Sequence, residues 1–72
     1  SATDAETKKL EKFLNKSEEF LKIELGIPDE EILNSDGKRI LVYYDSKLKV
    51  KCERRFQIKN TKVISFTSKG CW

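Results

Sequence analysis

The feature that most constrains the fold is a strict alternation of side-chain character between residues 47 and 59. The even positions are apolar apart from one arginine: Leu48, Val50, Cys52, Arg54, Phe56 and Ile58. The odd positions are charged apart from one glutamine: Lys47, Lys49, Lys51, Glu53, Arg55, Gln57 and Lys59. Because successive side chains of a β-strand point to opposite faces, this pattern predicts one long strand with an apolar face and a cationic face.

The two halves of the chain differ strongly in charge. Residues 1–36 contain five lysines and ten acidic residues, whereas residues 37–72 contain ten basic and two acidic residues. A chain of 72 residues with formal net charge +3 has enough sequence for one small domain, 1–72, with a shallow core. No apolar run approaches the roughly 20 residues that a membrane span requires, so a membrane is not an expected partner.

The acidic half predicts a long N-terminal helix. Thr3 and Glu6 fit a capping box at its start. The apolar residues that follow share one helical face: Leu10, Phe13, Leu14, Phe20, Leu21 and Leu25. Gly26 then offers a C-terminal cap, so we expect a helix over residues 4–25.

A second, shorter helical turn is expected over residues 28–33. Pro28 suits a first helical position, and the three acidic residues after it suit the positive end of a helix. Three strands are expected next, over residues 38–44, 47–59 and 62–68. The predicted class is therefore α+β, with a long N-terminal helix packed on one face of a three-stranded antiparallel β-meander.

The strand register is predicted from the loops. Three-residue loops at 45–47 and 60–62 place apolar residues opposite apolar residues, as cross-strand packing favours. In these registers Ile58 lies opposite Ile64 and Phe56 opposite Phe66. The apolar face of the first strand is then expected to hold Ile40, Val42 and Tyr44. Leu41 and Tyr43 are expected on the cationic face.

Two features do not fit the simple pattern. Arg54 stands at an even position, so the alternation places it on the apolar face. We expect its guanidinium to reach solvent or a helix carboxylate. The alternative is a bulge at 53–55. In the predicted register Cys52 faces residue 70. A bridge to Cys71 therefore needs a one-residue bulge, for which Gly70 is a natural site. The sequence leaves both the disulfide and two free thiols open.

The residue types argue against an enzyme. The chain has no histidine, which removes the commonest general base and the usual Ser–His and Cys–His pairs. Its two cysteines do not form a Cys-x-x-Cys motif, two cysteines alone do not complete a structural zinc site, and no glycine-rich phosphate loop is present. We therefore expect no catalytic residues, no cofactor and no metal.

The cationic face of the long strand is the candidate site. Its predicted partner-binding residues are Lys47, Lys49, Lys51, Arg55, Lys59 and Tyr43. Fixed cations along a strand suit a phosphate backbone, and Tyr43, placed near Lys49, suits stacking on an unpaired base. The function expected first is a small non-catalytic binding module for nucleic acid. Lysines that keep an exposed strand soluble are an equally good explanation.

Three alternatives remain open from the sequence. The same cations suit a protein–protein interaction module or an inhibitor that binds an acidic protein surface. The acidic helix also suits self-association with the cationic face of a second copy. A secreted effector with one disulfide is the third alternative. The sequence indicates no particular compartment.

Overall fold

The computed structural model describes residues 4–71, and within them the side chain of Lys47 is not described. The elements are α1 (Asp4–Glu11), α2 (Glu18–Leu25), β1 (Glu30–Leu33), β2 (Arg39–Lys47), β3 (Val50–Lys59) and β4 (Lys62–Lys69). The strands form one antiparallel sheet in the order β1-β2-β3-β4. The α+β class is confirmed. The prediction of one long helix and three strands is wrong, since there are two short helices and four strands among the described residues.

The predicted long helix breaks before Ser17. This residue caps α2, because its side chain accepts a hydrogen bond of 3.0 Å from the backbone N–H of Phe20. Asn15 has a positive φ of 63°, a conformation that asparagine tolerates better than most residues. The backbone of the break also pairs with β4, since the N–H of Asn15 donates to Val63 and the N–H of Val63 donates to Lys16, at 2.8 and 2.9 Å. These bonds replace those of a continuous helix. Thr3 of the predicted capping box lies outside the described residues.

The segment expected to form a helical turn over 28–33 forms β1 instead. Ile32 pairs with Ile40 of β2, and the backbone N–H of Asp29 donates to the carbonyl of Val42 at 2.9 Å. A single helical turn gains few hydrogen bonds for the residues it orders. Pairing with β2 satisfies the backbone hydrogen-bonding groups of this segment and those of an otherwise open edge of the sheet.

The first hairpin turns at Leu48 and Lys49, not at 45–47. Both residues have positive φ, 49° and 70°, as a two-residue type I′ turn requires. The turn moves the pairing by an odd number of residues, so that Leu41 rather than Val42 shares a face with Phe56. Because side chains alternate, the shift exchanges the two faces of β2.

The face assignment of β2 is corrected accordingly. Leu41 and Tyr43 lie in the core cluster with Phe56. Ile40, Val42 and Tyr44 lie on the other face of the sheet, since they pair with the odd-numbered residues of β3. The prediction that placed Leu41 and Tyr43 on the cationic face is therefore wrong.

The second hairpin is closer to the prediction. It turns at Asn60 and Thr61, as a two-residue loop closed by Lys59 and Lys62 rather than the expected three-residue loop. Ile58 lies opposite Val63, not Ile64, because a register shift next to Ile58 leaves Ile64 without a partner in the ladder. Beyond this irregularity the predicted register is restored, and the pairing of Phe56 with Phe66 is confirmed.

The core lies between the two helices and one face of the sheet. Its buried residues are Leu10, Phe13, Leu21, Leu41, Tyr43, Phe56, Ile58 and Val63. Phe56 lies at the centre, with its ring edge-on to Phe13 and Tyr43 at centroid distances of 5.7 and 5.8 Å. Edge-to-face contacts of this kind add to the stabilisation from burial. Neither described helix is both long and apolar enough to cross a lipid bilayer.

A buried ion pair joins α1 to the sheet. The Nε of Arg54 donates to Glu6 at 2.6 Å, and Ser68 Oγ donates to the same carboxylate at 3.0 Å. The guanidinium of Arg54 holds the pKa of Glu6 below its usual range, although burial acts in the opposite direction. Of the two expectations for Arg54, solvent or a helix carboxylate, the structure shows the second, and Arg54 is 9% exposed.

The C-terminal end of the described chain is tied to β3 by a disulfide between Cys52 and Cys71. Gly70 leaves the strand geometry with a φ of +72°. A Cβ at this position would collide with the carbonyl oxygen of Lys51, so glycine is required both for the backbone conformation and for the close approach. This backbone change brings Cys71, rather than residue 70, to Cys52.

Candidate nucleic-acid interface

The sheet has one face covered by the helices and one that neither helix packs on, which we call the open face. By strand register, the open face holds Glu30, Ile32, Ile40, Val42, Tyr44, Ser46, Lys51, Glu53, Arg55, Gln57, Lys59, Lys62, Ser65, Thr67 and Lys69. Residues of β1 and β2 give this face an apolar side. Residues of β3 and β4 give it a basic side.

We call the basic side the cationic band. It consists of Lys51, Arg55, Lys59, Lys62 and Lys69. Lys59 and Lys62 are direct partners across the β3–β4 ladder. Lys69 is the partner of Glu53 across the β3–β4 ladder, and the Glu53 carboxylate accepts a hydrogen bond from Arg55, at 2.7 Å from Nε to Oε2.

Within residues 4–71, the lysines of the cationic band form no ion pairs. Among the described residues, no carboxylate oxygen lies within 4.0 Å of the ammonium groups of Lys51, Lys59, Lys62 or Lys69. By contrast, Arg39 and Arg54 on the covered face both bind glutamates. Unpaired cations fixed on one surface produce a positive potential that attracts and steers anions.

Tyr44 is the half-exposed aromatic residue of the open face, with 49% of its surface accessible. Its hydroxyl donates to Glu30 Oε2 at 2.6 Å, and its backbone N–H donates to Asp29 Oδ2 at 2.7 Å. The hydrogen bond to Glu30 raises the pKa of the Tyr44 hydroxyl. The hydroxyl of the ring and the backbone of Tyr44 are thus each held by a carboxylate, beside the cationic band.

Two surface depressions adjoin Tyr44. One, of about 320 Å³, is lined by Tyr44, Lys51, Cys52, Glu53, Lys69 and Gly70. The other, of about 490 Å³, is lined by Tyr44, Asp45, Ser46, Lys51 and Cys52. Tyr44 and Lys51 border both depressions, so an aromatic residue and a lysine of the open face lie close to each other there.

The structure brings together part of the predicted site. Lys51, Arg55 and Lys59 lie on the open face of β3, at intervals of four residues. Lys49 is exposed but lies in the turn before this strand. The side chain of Lys47 lies outside the described part of the structure.

Tyr43 does not belong to this surface. Its ring is buried against Phe56, and its hydroxyl donates to the carbonyl of Gly26 at 2.9 Å. Burial raises the pKa of Tyr43 to about 12. The tyrosine beside it in sequence, Tyr44, takes the exposed position that was predicted for Tyr43.

Sequence reasoning missed Tyr44, Lys62 and Lys69 as members of the surface. For Lys69 a signal was present, since the predicted register of the second hairpin already places it opposite Glu53. For Tyr44 the signal depends on the turn at Leu48 and Lys49, which does not have the Asn-Gly or Asp-Gly composition typical of a type I′ turn.

One group of potential metal ligands lies within the described residues, but its chemistry is already used. Oxygen and sulfur atoms of Glu6, Cys52 and Cys71 lie within 4.8 Å of one another. The two sulfur atoms form a disulfide, so they offer no thiolate, and the carboxylate binds Arg54. This group does not fit a metal ion.

Comparison with known protein families, curated proteins and solved structures finds no match to this chain. Its function is therefore inferred from its own residues.

Proposed function

We propose that the chain is a non-catalytic module that binds nucleic acid through the cationic band of its open face. The observation that supports this is a set of four lysines that have no carboxylate partner among the residues described by the structure: Lys51, Lys59, Lys62 and Lys69. Phosphate contacts by lysine supply most of the affinity in sequence-independent nucleic-acid binding.

The dimensions of the band suit a phosphate backbone. From Lys51 to Lys59 the strand advances eight residues, or about 27 Å at roughly 3.4 Å per residue. Lys62 and Lys69 form a second row on β4, about 5 Å to the side of β3. A backbone that follows these two rows meets the ammonium groups of four lysines and the guanidinium of Arg55.

The first experiment measures binding to labelled 20-nucleotide single strands and duplexes, of DNA and of RNA, by fluorescence anisotropy. Measurements at 50 and 200 mM salt give the salt dependence. Four phosphate contacts on a single strand predict a loss of about 50-fold over this range. Poly-glutamate at equal charge is the control, and equal affinity for it would replace nucleic acid by an acidic protein as the partner.

A pair of charge-matched variants locates the site. Lys51→Glu with Lys69→Glu reverses two charges on the cationic band, and we expect nucleic-acid binding to be lost with the fold intact. Lys8→Glu with Lys16→Glu makes the same change in net charge at two exposed positions outside the sheet. Equal losses in both double variants, or no binding by the unmodified protein, would contradict the proposal.

The disulfide favours an oxidising compartment for this binding. Disulfides persist in secreted and periplasmic proteins and are rare in the cytosol. Titration with a thiol reagent in denaturant, without reductant, is expected to find no free thiol at Cys52 or Cys71. Two titratable thiols in protein isolated from its native source would favour a reducing compartment.

A further inference from the structure

We infer that Tyr44, Lys51 and Lys69 form a subsite that takes one unpaired base of a single-stranded nucleic acid. This inference rests on the proposed function and names its ligand more closely. It assigns the base to the ring of Tyr44 and the flanking phosphates to the two lysines.

The first step concerns the ring. Tyr44 is half exposed on the open face, and its hydroxyl is fixed by Glu30 at 2.6 Å. A fixed ring loses little conformational freedom when a base stacks on it, so more of the stacking energy appears as affinity. Stacking on an aromatic side chain is tolerant of base identity, because every base has a π-face.

The second step concerns the phosphates. Tyr44, Glu53 and Lys69 form one row across β2, β3 and β4, which places the backbone of Lys69 about 10 Å from that of Tyr44. Lys51 lies one pleat further along β3 and borders the same two depressions as Tyr44. Neither lysine has a carboxylate within 4.0 Å among the described residues. Both lysines lie on the β3–β4 side of Tyr44, so a base on the ring has two ammonium groups on that side for its flanking phosphates.

The third step distinguishes single strands from duplexes. In a duplex the faces of the bases are stacked on one another, so an aromatic ring on a flat sheet has nothing to stack on. In a single strand the bases are free to unstack and lie on the ring. The cationic band attracts both forms, but the contact with Tyr44 is available only to the single strand. We therefore expect the tighter binding to single strands.

The test uses two probes of equal charge and length: a ten-nucleotide oligothymidylate and a ten-unit abasic phosphate backbone. Substitution of a stacked aromatic reduces affinity by about 5- to 150-fold. Tyr44→Leu is expected to weaken oligothymidylate binding within this range. Tyr44→Phe keeps the ring but loses its hydrogen bond to Glu30, and it is expected to bind slightly more weakly than the unmodified protein and more tightly than Tyr44→Leu. The abasic probe is expected to bind weakly and equally to all three proteins.

The salt dependence separates the two kinds of contact. Tyr44→Leu is expected to reduce affinity by the same factor at 50 and 200 mM salt, because stacking releases no counterions. Lys51→Glu with Lys69→Glu is expected instead to lose binding already at 50 mM salt, because it removes phosphate contacts. Circular dichroism and urea unfolding check that each variant is folded, and the abasic probe tests the inference on the unmodified protein alone.

The outcomes distinguish the inference from the proposed function. If Tyr44→Leu binds as tightly as the unmodified protein while the lysine double variant loses binding, the cationic band is the site and the base subsite is wrong. Equal binding of oligothymidylate and the abasic probe by the unmodified protein would likewise overturn the subsite. If the unmodified protein binds neither probe, the proposed function itself fails.

Discussion

Arg54 and Arg55 are neighbours in β3 with opposite surroundings. Arg54 lies on the covered face, 9% exposed, and binds the buried carboxylate of Glu6. Arg55 lies on the open face, half-buried, and binds Glu53 two residues away on the same strand. On the covered face each arginine binds a glutamate and helps to hold a helix. On the open face the basic residues outnumber the acidic ones beside them.

The comparison predicts that the two faces respond differently to mutation. Changes on the covered face are expected to reduce the free energy of unfolding, because they disturb packing or leave a buried charge unpaired. Changes on the open face are expected to leave stability almost unchanged and to alter binding. The following predictions test this difference, from the largest expected effect to the smallest.

Phe56→Ala is expected to have the largest effect, a loss of about 4 kcal/mol in the free energy of unfolding. The ring is fully buried and contacts Phe13, Tyr43 and Phe66. Lys59→Ala, on the exposed face of the same strand, is expected to change stability by less than about 0.5 kcal/mol. Urea unfolding of both variants measures the difference, and similar losses would mean that the faces are misassigned.

Arg54→Met is expected to destabilise the protein by about 3 kcal/mol, since it leaves the Glu6 carboxylate buried without its main partner. The neighbouring change Arg55→Met is expected to cost less than about 1 kcal/mol, because its ion pair is partly exposed. Addition of Glu6→Gln to each variant completes a double-mutant cycle. If the coupling energy between Glu6 and Arg54 is no larger than that between Glu6 and Arg55, the two arginines do not differ in the way described here.

Acid is expected to weaken the covered face by a smaller amount, because protonation removes the charge of Glu6 but leaves both side chains in place. The pKa of Glu6 is lowered in the folded state by Arg54, from an ordinary value of 4.5. Its contribution is therefore complete above about pH 4.5 and is lost as the pH falls through the lowered pKa. Urea unfolding between pH 7 and pH 2 is expected to show a steeper loss for the unmodified protein than for Glu6→Gln. Parallel pH profiles would exclude this role for Glu6.

The two tyrosines provide the finest comparison. Tyr43→Phe removes a partly buried hydroxyl that donates to the carbonyl of Gly26, and we expect a loss of about 1 kcal/mol. Tyr44→Phe removes a hydroxyl that donates to Glu30 at the surface, and we expect little change. Thermal unfolding of the two variants side by side measures both effects. A larger loss for Tyr44→Phe would reverse the assignment of the tyrosines to the two faces.

The sequence predicts those parts of the fold that depend on local pattern. Alternation in β3 indicated its two faces correctly from Val50 onward, and the pairing of Phe56 with Phe66 followed from apolar matching. Arg54 was expected to reach either solvent or a helix carboxylate, and it binds Glu6. Each of these inferences needed only the alternation of side chains along one strand, or one favourable pair of side chains on neighbouring strands.

The remaining parts of the fold depend on helix caps and turns, whose sequence signals compete with the pattern of apolar residues. Ser17 followed by two glutamates is a good helix start, but the apolar stripe continues across it and favoured a single helix. The turn at Leu48 and Lys49 has two non-glycine residues with positive φ, so the turn propensities of these residues did not indicate it. Because the side-chain period of a strand is two, this single error exchanged Tyr43 for Tyr44 in the candidate site.

The two-residue turn at Leu48 and Lys49 has a consequence for how sequences of this kind can diverge. An insertion or deletion of one residue in that turn would invert every side chain of β2 relative to β3, moving Tyr43 out and Tyr44 in. Surface loops usually tolerate such length changes. Here the length of the loop determines which aromatic ring faces solvent. We therefore expect related sequences to vary in residue type at 48 and 49 while keeping the number of residues between the strands.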